Sequence, residues 1–230
     1  MQDRLSVKKS PEPPKSAILS QATHPATRGF HMPEIDFWYS IGSTYSFLTV
    51  MRLDDWCDEH GVAVTWRPFN VRSVMSDQQN IPFAGKPEKS AYMWRDIERR
   101  AAKYHIHARL PAPYPISDIA LANQVALLGM GEGWGKNFTL ALYRIWFEEN
   151  VEAGSETAIT EALHRCQQDP RLVLARARSP DTIAALEIET EQAAKLGVFG
   201  APSLVVRGEV FWGDDRLDDA LSWVRVGHVA

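Results

Sequence analysis

The 230-residue chain predicts an α/β fold in which two small strand-containing halves flank a long helical stretch. Three features carry that expectation. Residues 35–68 read as strand, helix, strand; residues 86–197 show almost unbroken helical spacing; and residues 203–223 return to two strands and a helix.

Ile35 to Tyr39 is a β-branched and aromatic run, which suits a short buried strand, and Ile41-Gly42-Ser43-Thr44 follows as a turn. Phe47, Val50, Leu53 and Cys57 then recur at three- and four-residue spacing, predicting one helix capped by Ser43 or Thr44 and closed by His60-Gly61. Val62 to Pro68 supplies the second strand, and a single intervening helix makes the pair parallel. Helices are expected over Glu88 to Tyr104, Asp118 to Leu128, Lys136 to Phe147, Ser155 to Gln167 and Ser179 to Leu196. Asp169-Pro170 and Ser179-Pro180 each place a capping side chain before a proline at the first helical position. Ser203 to Val206 and Glu209 to Trp212 form a hairpin turning at Arg207-Gly208, and Asp214 is expected to cap a last helix through Trp223. A βαβ half, a large all-helical insertion and a ββα half together make the thioredoxin-like arrangement. The expected boundaries are 34–75 and 180–230 for the thioredoxin-like part and 76–179 for the insertion.

A net charge of −4 disfavours a nucleic-acid binder, since phosphate neutralisation needs clustered Lys and Arg. No apolar run approaches the roughly 20 residues that span a bilayer. Cys57 and Cys166 stand far apart with no C-x-x-C, which excludes a dithiol motif and a zinc knuckle and suits reduced thiols in the cytoplasm. His105-x-His107 is the nearest approach to metal spacing, and no third ligand accompanies it, so no metal is expected. Residues 1–33 hold five of the 14 prolines (Pro11, Pro13, Pro14, Pro25 and Pro33) and little apolar content, and are expected to be a disordered leader. The mixed charges Arg95-Asp96 and Glu98-Arg99-Arg100 read as a solvated helix face.

Four places could carry chemistry. Ser43 sits at the junction of the first strand and first helix, where a thiol oxidoreductase would keep its own thiolate. A serine there can only donate a hydrogen bond to another molecule's anion. A charge-assisted bond of about 1.5–3 kcal/mol and a helix dipole of about 0.3–1 kcal/mol would lower a bound thiol's pKa by about one to two units. The alternative is that Ser43 is only a cap. Gly200-Ala201-Pro202-Ser203 enters a strand, and a cis Pro202 would open the Ala201 backbone to an extended peptide, whereas a trans proline would be a plain strand start. Asp214 and Asp215 could grip an ammonium group or simply cap. Asn80-Ile81-Pro82 is by itself a turn.

These four places coincide with one pattern. The chain resembles the 2-hydroxychromene-2-carboxylate isomerase family, kin of kappa-class glutathione transferases in the DsbA-like thioredoxin superfamily. Ser43-Thr44-Tyr45-Ser46 stands where the family has an S-P-Y-S type motif, with Thr44 in place of the usual proline. Asn80-Ile81-Pro82, then Lys89, Tyr92, Asp96, Arg99 and Ala101, follow the family's N-x-P loop and the helix after it. Tyr114-Pro115, Leu121-Ala122-Asn123, Val198-Phe199-Gly200-Ala201-Pro202 and Phe211-Trp212-Gly213-Asp214-Asp215-Arg216-Leu217 match as well, so the likeness spans residues 35 to about 225.

The resemblance implies a glutathione-dependent enzyme. Ser43 would be the catalytic residue, holding the glutathione thiolate, with Thr44 and Tyr45 beside it. Ala201, before a cis Pro202, would pair with the cysteinyl segment, Asp214 and Asp215 would hold the γ-glutamyl end, and Asn80 would reach in from across the cleft. It implies cis-trans isomerisation of an aromatic-degradation intermediate by reversible thiolate addition, in a homodimer, with the helical insertion walling the site of the small aromatic or electrophilic substrate. A kappa-like transferase and a non-catalytic thioredoxin-like binding module are the competing readings.

Overall fold

Alternating and continuous apolar runs at both ends of the chain build one mixed sheet. The computed structural model describes residues 34–80, 83 and 85–229; the leader expected over 1–33 lies outside them. Strand β1 (Glu34–Tyr39) is central, with Ile35, Phe37, Trp38 and Tyr39 all buried, as a strand covered on both faces requires. It pairs in parallel with β2 (Ala63–Pro68) and antiparallel with β3 (Ser203–Val206), which pairs antiparallel with β4 (Glu209–Trp212). The sheet order is β2-β1-β3-β4. Phe37 and Tyr39 stack at 5.3 Å, and Trp66 of β2 meets both edge-on at 5.2 and 5.5 Å.

The helix expected from residue 43 to 60 is two helices: α1 (Thr44–Val50) and α2 (Leu53–His60). Local spacing reads through the join, but tertiary contacts at Arg52 break it. Its guanidinium donates to the Asp214 carbonyl and lies 4.0 Å over the Tyr104 ring, and its backbone leaves the helical region at φ −129°, ψ −4°. Gly61 closes α2 at φ 62°, as expected.

A short α3 (Val71–Asp77), capped by the Asn70 side chain on the Ser73 N–H, was not legible because its seven residues are too few for a periodic pattern. The helical stretch then runs α4 (Pro87–Lys103), α5 (Ile119–Glu132), α6 (Gly135–Phe147), α7 (Glu156–Arg165) and α8 (Pro170–Ala177) through the insertion, and α9 (Pro180–Lys195) leads on to β3. Asp169 and Ser179 cap α8 and α9 ahead of their prolines, as the sequence predicts. A single 3₁₀ turn (Asp214–Arg216) and α10 (Leu217–Val226) finish the chain.

One apolar cluster runs through the sheet, α1 and the insertion. Phe47 of α1 stacks on Phe147 of α6 with ring centroids 4.0 Å apart and planes 4° from parallel, and both rings are fully buried. Phe147→Ala should therefore cost about 3–5 kcal/mol, read as a lowered denaturation midpoint.

Candidate active site

The site is built on the turn between β1 and α1. Ser43 is the N-cap of α1: its Oγ accepts from the Ser46 N–H at 3.3 Å. The same hydroxyl donates to the Ala201 carbonyl at 2.7 Å, across 158 residues of sequence. The turn closes through the Ser43 N–H on the Ser40 carbonyl at 2.9 Å.

Insertion helices hold this turn from the other side. The Asn123 side chain, fully buried on α5, accepts from the Ile41 N–H at 2.9 Å through Oδ1 and donates to the Ile41 carbonyl at 2.9 Å and to the Ile119 carbonyl at 2.7 Å through Nδ2. Tyr143 of α6 donates to the Ser40 and Ser43 carbonyls at 2.9 and 3.2 Å. Burial pushes the Tyr143 hydroxyl well above its ordinary pKa, so it stays a donor. Gly42 has φ +124°, and a side chain there would come within 2.6 Å of Ile119.

Ala201 and Pro202 are joined by a cis peptide bond at the head of β3, as the resemblance implies. The Pro202 carbonyl accepts from the Gly213 N–H at 2.9 Å, which ties the β3 entry to the loop carrying Asp214 and Asp215.

Asp214 departs from its expected role as a helix cap. Its side chain is only 4% exposed, and Oδ2 accepts from Arg100 of α4 at 2.7–2.8 Å. Burial nevertheless lifts the Asp214 carboxyl above its ordinary pKa, while the carboxylate raises that of Arg100. The contact fixes α4 against the turn. Asp215 is exposed on the same turn and forms an ion pair with neighbouring Arg216 at 3.1 Å. Of the two carboxylates, Asp215 is the one open to solvent.

Two further expected residues also sit differently. Thr44 is 3% exposed and its hydroxyl donates to the Met93 sulfur at 3.1 Å, so its side chain packs inward against α4. Asn80 is exposed at the exit from α3, with its N–H on the Met75 carbonyl at 2.8 Å; among the described residues no hydrogen bond joins it to Ser43, Ala201, Asp214 or Asp215. Ile81 and Pro82 lie outside the described residues. Tyr45 lies against α4, donating to Asp96 at 3.1 Å, and burial together with that carboxylate raises its pKa. Arg95 and Arg99 make the surface pairs expected of a solvated face, but Arg100 turns inward. Arg52, Arg100, Asn123 and Tyr143 were not legible as site residues, because nothing in their local pattern marks which partner they meet.

The protein's own thiols lie elsewhere and are poor nucleophiles. Burial and Asp54 push Cys57 up to about 11, and burial raises Cys166.

A thioredoxin-type sheet, a cis-proline loop and a serine where a redox enzyme would place its thiol define a class: thioredoxin-like proteins without a dithiol of their own. The chain belongs to the DSBA-like thioredoxin domain family, whose model matches residues 34–224. It is 31% identical over 191 residues to 2-hydroxychromene-2-carboxylate isomerase of Sphingobium xenophagum, covering 80% of this chain and 94% of that protein. It is 24% identical over 201 residues to glutathione S-transferase kappa 1 of Caenorhabditis elegans, covering 80% and 88%. The solved structure of selenomethionine 2-hydroxychromene-2-carboxylate isomerase superposes with a TM-score of 0.71 at 20% identity, over 80% of this chain and 90% of that one, and shows the shared fold. Both sequence relatives are named as enzymes, an isomerase and a transferase. Among the described residues no helix is long and apolar enough to cross a membrane.

Asn123→Leu should destabilise the protein by about 1–3 kcal/mol for each buried backbone group left unpaired, measured by urea denaturation. Replacing Cys57 and Cys166 together by alanine should leave catalytic turnover unchanged in a steady-state assay.

Proposed function

We propose that this chain is a glutathione-dependent isomerase of the 2-hydroxychromene-2-carboxylate type, acting in the cytoplasm on a conjugated aromatic-degradation intermediate. The observation that carries the reading is the 2.7 Å contact between the Ser43 hydroxyl and the Ala201 carbonyl. It sets a hydroxyl donor and a peptide acceptor side by side where a thioredoxin-like site handles a thiol. An exposed carboxylate, Asp215, stands on the adjoining turn. A donor for a thiolate, an acceptor for an amide N–H and a carboxylate for an ammonium are the complement of glutathione.

When bound, glutathione would supply a thiolate whose S–C bond to the electron-poor carbon forms and later breaks, so that a double bond becomes a rotatable single bond and is then restored with the thiol regenerated. Ser43 has one proton to donate. In the free protein it goes to Ala201; pairing of the Ala201 carbonyl with a cysteinyl N–H would release it toward sulfur. Because α1 is seven residues long rather than the full 43–60 span, the hydroxyl carries more of the stabilisation than the helix dipole does. Asp215 would hold the γ-glutamyl ammonium, and Asp214 would act through position, keeping the turn docked on Arg100. Asn80 would contribute from across the cleft. A homodimer is part of this reading.

Calorimetric binding of glutathione and isomerisation of a hydroxychromene carboxylate, with free thiol followed through turnover, test it directly. Constant thiol is the expected result. Stoichiometric loss of thiol would make the chain a kappa-like transferase, a reading favoured by its 24% identical relative. Absence of glutathione binding would leave a non-catalytic ligand-binding module. Ser43→Ala should raise the pKa of the bound thiol by about one unit, equivalent to about 1.4 kcal/mol, in an ultraviolet titration of the thiolate.

A further inference from the structure

Most aromatic rings of this chain are buried or half-buried, but among the described residues three are exposed: Tyr92 (61%), Phe199 (39%) and Trp212 (53%). Phe199 and Trp212 touch each other, with centroids 4.9 Å apart and planes at 59°. Both lie within two residues of the Ala201-Pro202 entry or of Gly213, the residue hydrogen-bonded to it. Trp212 ends β4 opposite Ser203, and the next N–H, of Gly213, is bonded to the Pro202 carbonyl. Phe199 lies two residues before Ala201, whose carbonyl receives the Ser43 hydroxyl.

The indole is held in place. It lies against Gly200, where a side chain would come within 2.5 Å of the Trp212 Nε1. Its neighbour Phe211 points to the other face of the sheet and packs on Trp223 of α10 at 5.9 Å, so Trp212 cannot turn into that core without breaking the strand's alternation. A ring fixed by backbone contact yet half open to water is preorganised to stack on a planar partner with little loss of rotamer freedom.

We propose that Trp212, backed by Phe199, is the specificity-determining surface that stacks on the aromatic ring of the electrophile beside the Ser43 thiol site. This rests on the glutathione reading above. It places an aromatic contact for the second substrate on the strand half of the protein, where the sequence assigned that wall to the helical insertion. The ligand feature that follows is a planar aromatic ring on the electrophile, with non-aromatic electrophiles discriminated against in binding rather than in chemistry.

The test compares wild type with Trp212→Ala, Trp212→Phe and Phe199→Ala, each checked for folding by circular dichroism. The probes are a hydroxychromene carboxylate and 1-chloro-2,4-dinitrobenzene as aromatic electrophiles, iodoacetamide as a non-aromatic one, and glutathione alone by calorimetry. Trp212→Ala should raise KM for the aromatic electrophiles about tenfold, with Trp212→Phe recovering most of the loss and Phe199→Ala showing a smaller effect. Glutathione affinity and the rate with iodoacetamide should stay within about twofold of wild type. Unchanged aromatic KM, equal losses for aromatic and non-aromatic electrophiles, or a loss confined to glutathione affinity would each overturn the proposal. Failure of wild type itself to bind glutathione would instead overturn the function on which it rests.

Discussion

The Asn123 side chain is the interaction on which the site depends. One buried amide takes both hydrogen-bonding groups of Ile41, doing for the β1–α1 turn what a neighbouring strand would do, and adds the Ile119 carbonyl of its own helix. In water such groups would be solvated; buried, each needs a partner or the turn moves. The turn therefore stays fixed to α5. Tyr143 adds a second tie from α6, and the stack of Phe47 on Phe147 seats α1 against the same helix. Ser43 stands where it does because two helices of the insertion, α5 and α6, leave its backbone one position.

From that fixed point the rest of the site follows by reach. The Ser43 hydroxyl joins the first half of the sheet to the β3 entry, and the Gly213 N–H joins that entry to the acidic turn. Arg52 and Arg100 then meet at Asp214, one on its carbonyl and one on its carboxylate, drawing the α1–α2 break and α4 onto the same turn. This arrangement explains the division between the two aspartates. The buried one is taken up by the fold, and the exposed one stays open to solvent. It also explains why α1 is short: Arg52 leaves the helix to make these contacts.

Much of this was legible in the sequence, and the boundary is informative. Strands β1 to β4, the hairpin turn at Arg207-Gly208 and the caps at Ser43, Asp169 and Ser179 are written in alternation and in short-range chemistry, and the structure places them where expected. Thr44 and Asp214 depart from a helix-cap reading for one reason. Each looks like a helix-start polar group, and each is turned inward by a partner about 50 or more positions away, Met93 or Arg100. Arg100 shows the converse: in sequence it is one more charge on a solvated helix, and only packing distinguishes it from Arg99.

By itself the sequence determined the fold class, the absence of a dithiol and the presence of a serine in the place of one, because periodicity, cysteine count and a contiguous motif are local facts about the chain. Tertiary structure decided which polar groups stay free. Whether Asp214 or Asp215 faces solvent, where the first helix breaks, what holds Ile41, and which aromatic rings remain outside the core all depend on partners brought together from distant parts of the chain. A buried polar group is paired by whatever lies within about 3 Å of it, and that distance is set by packing.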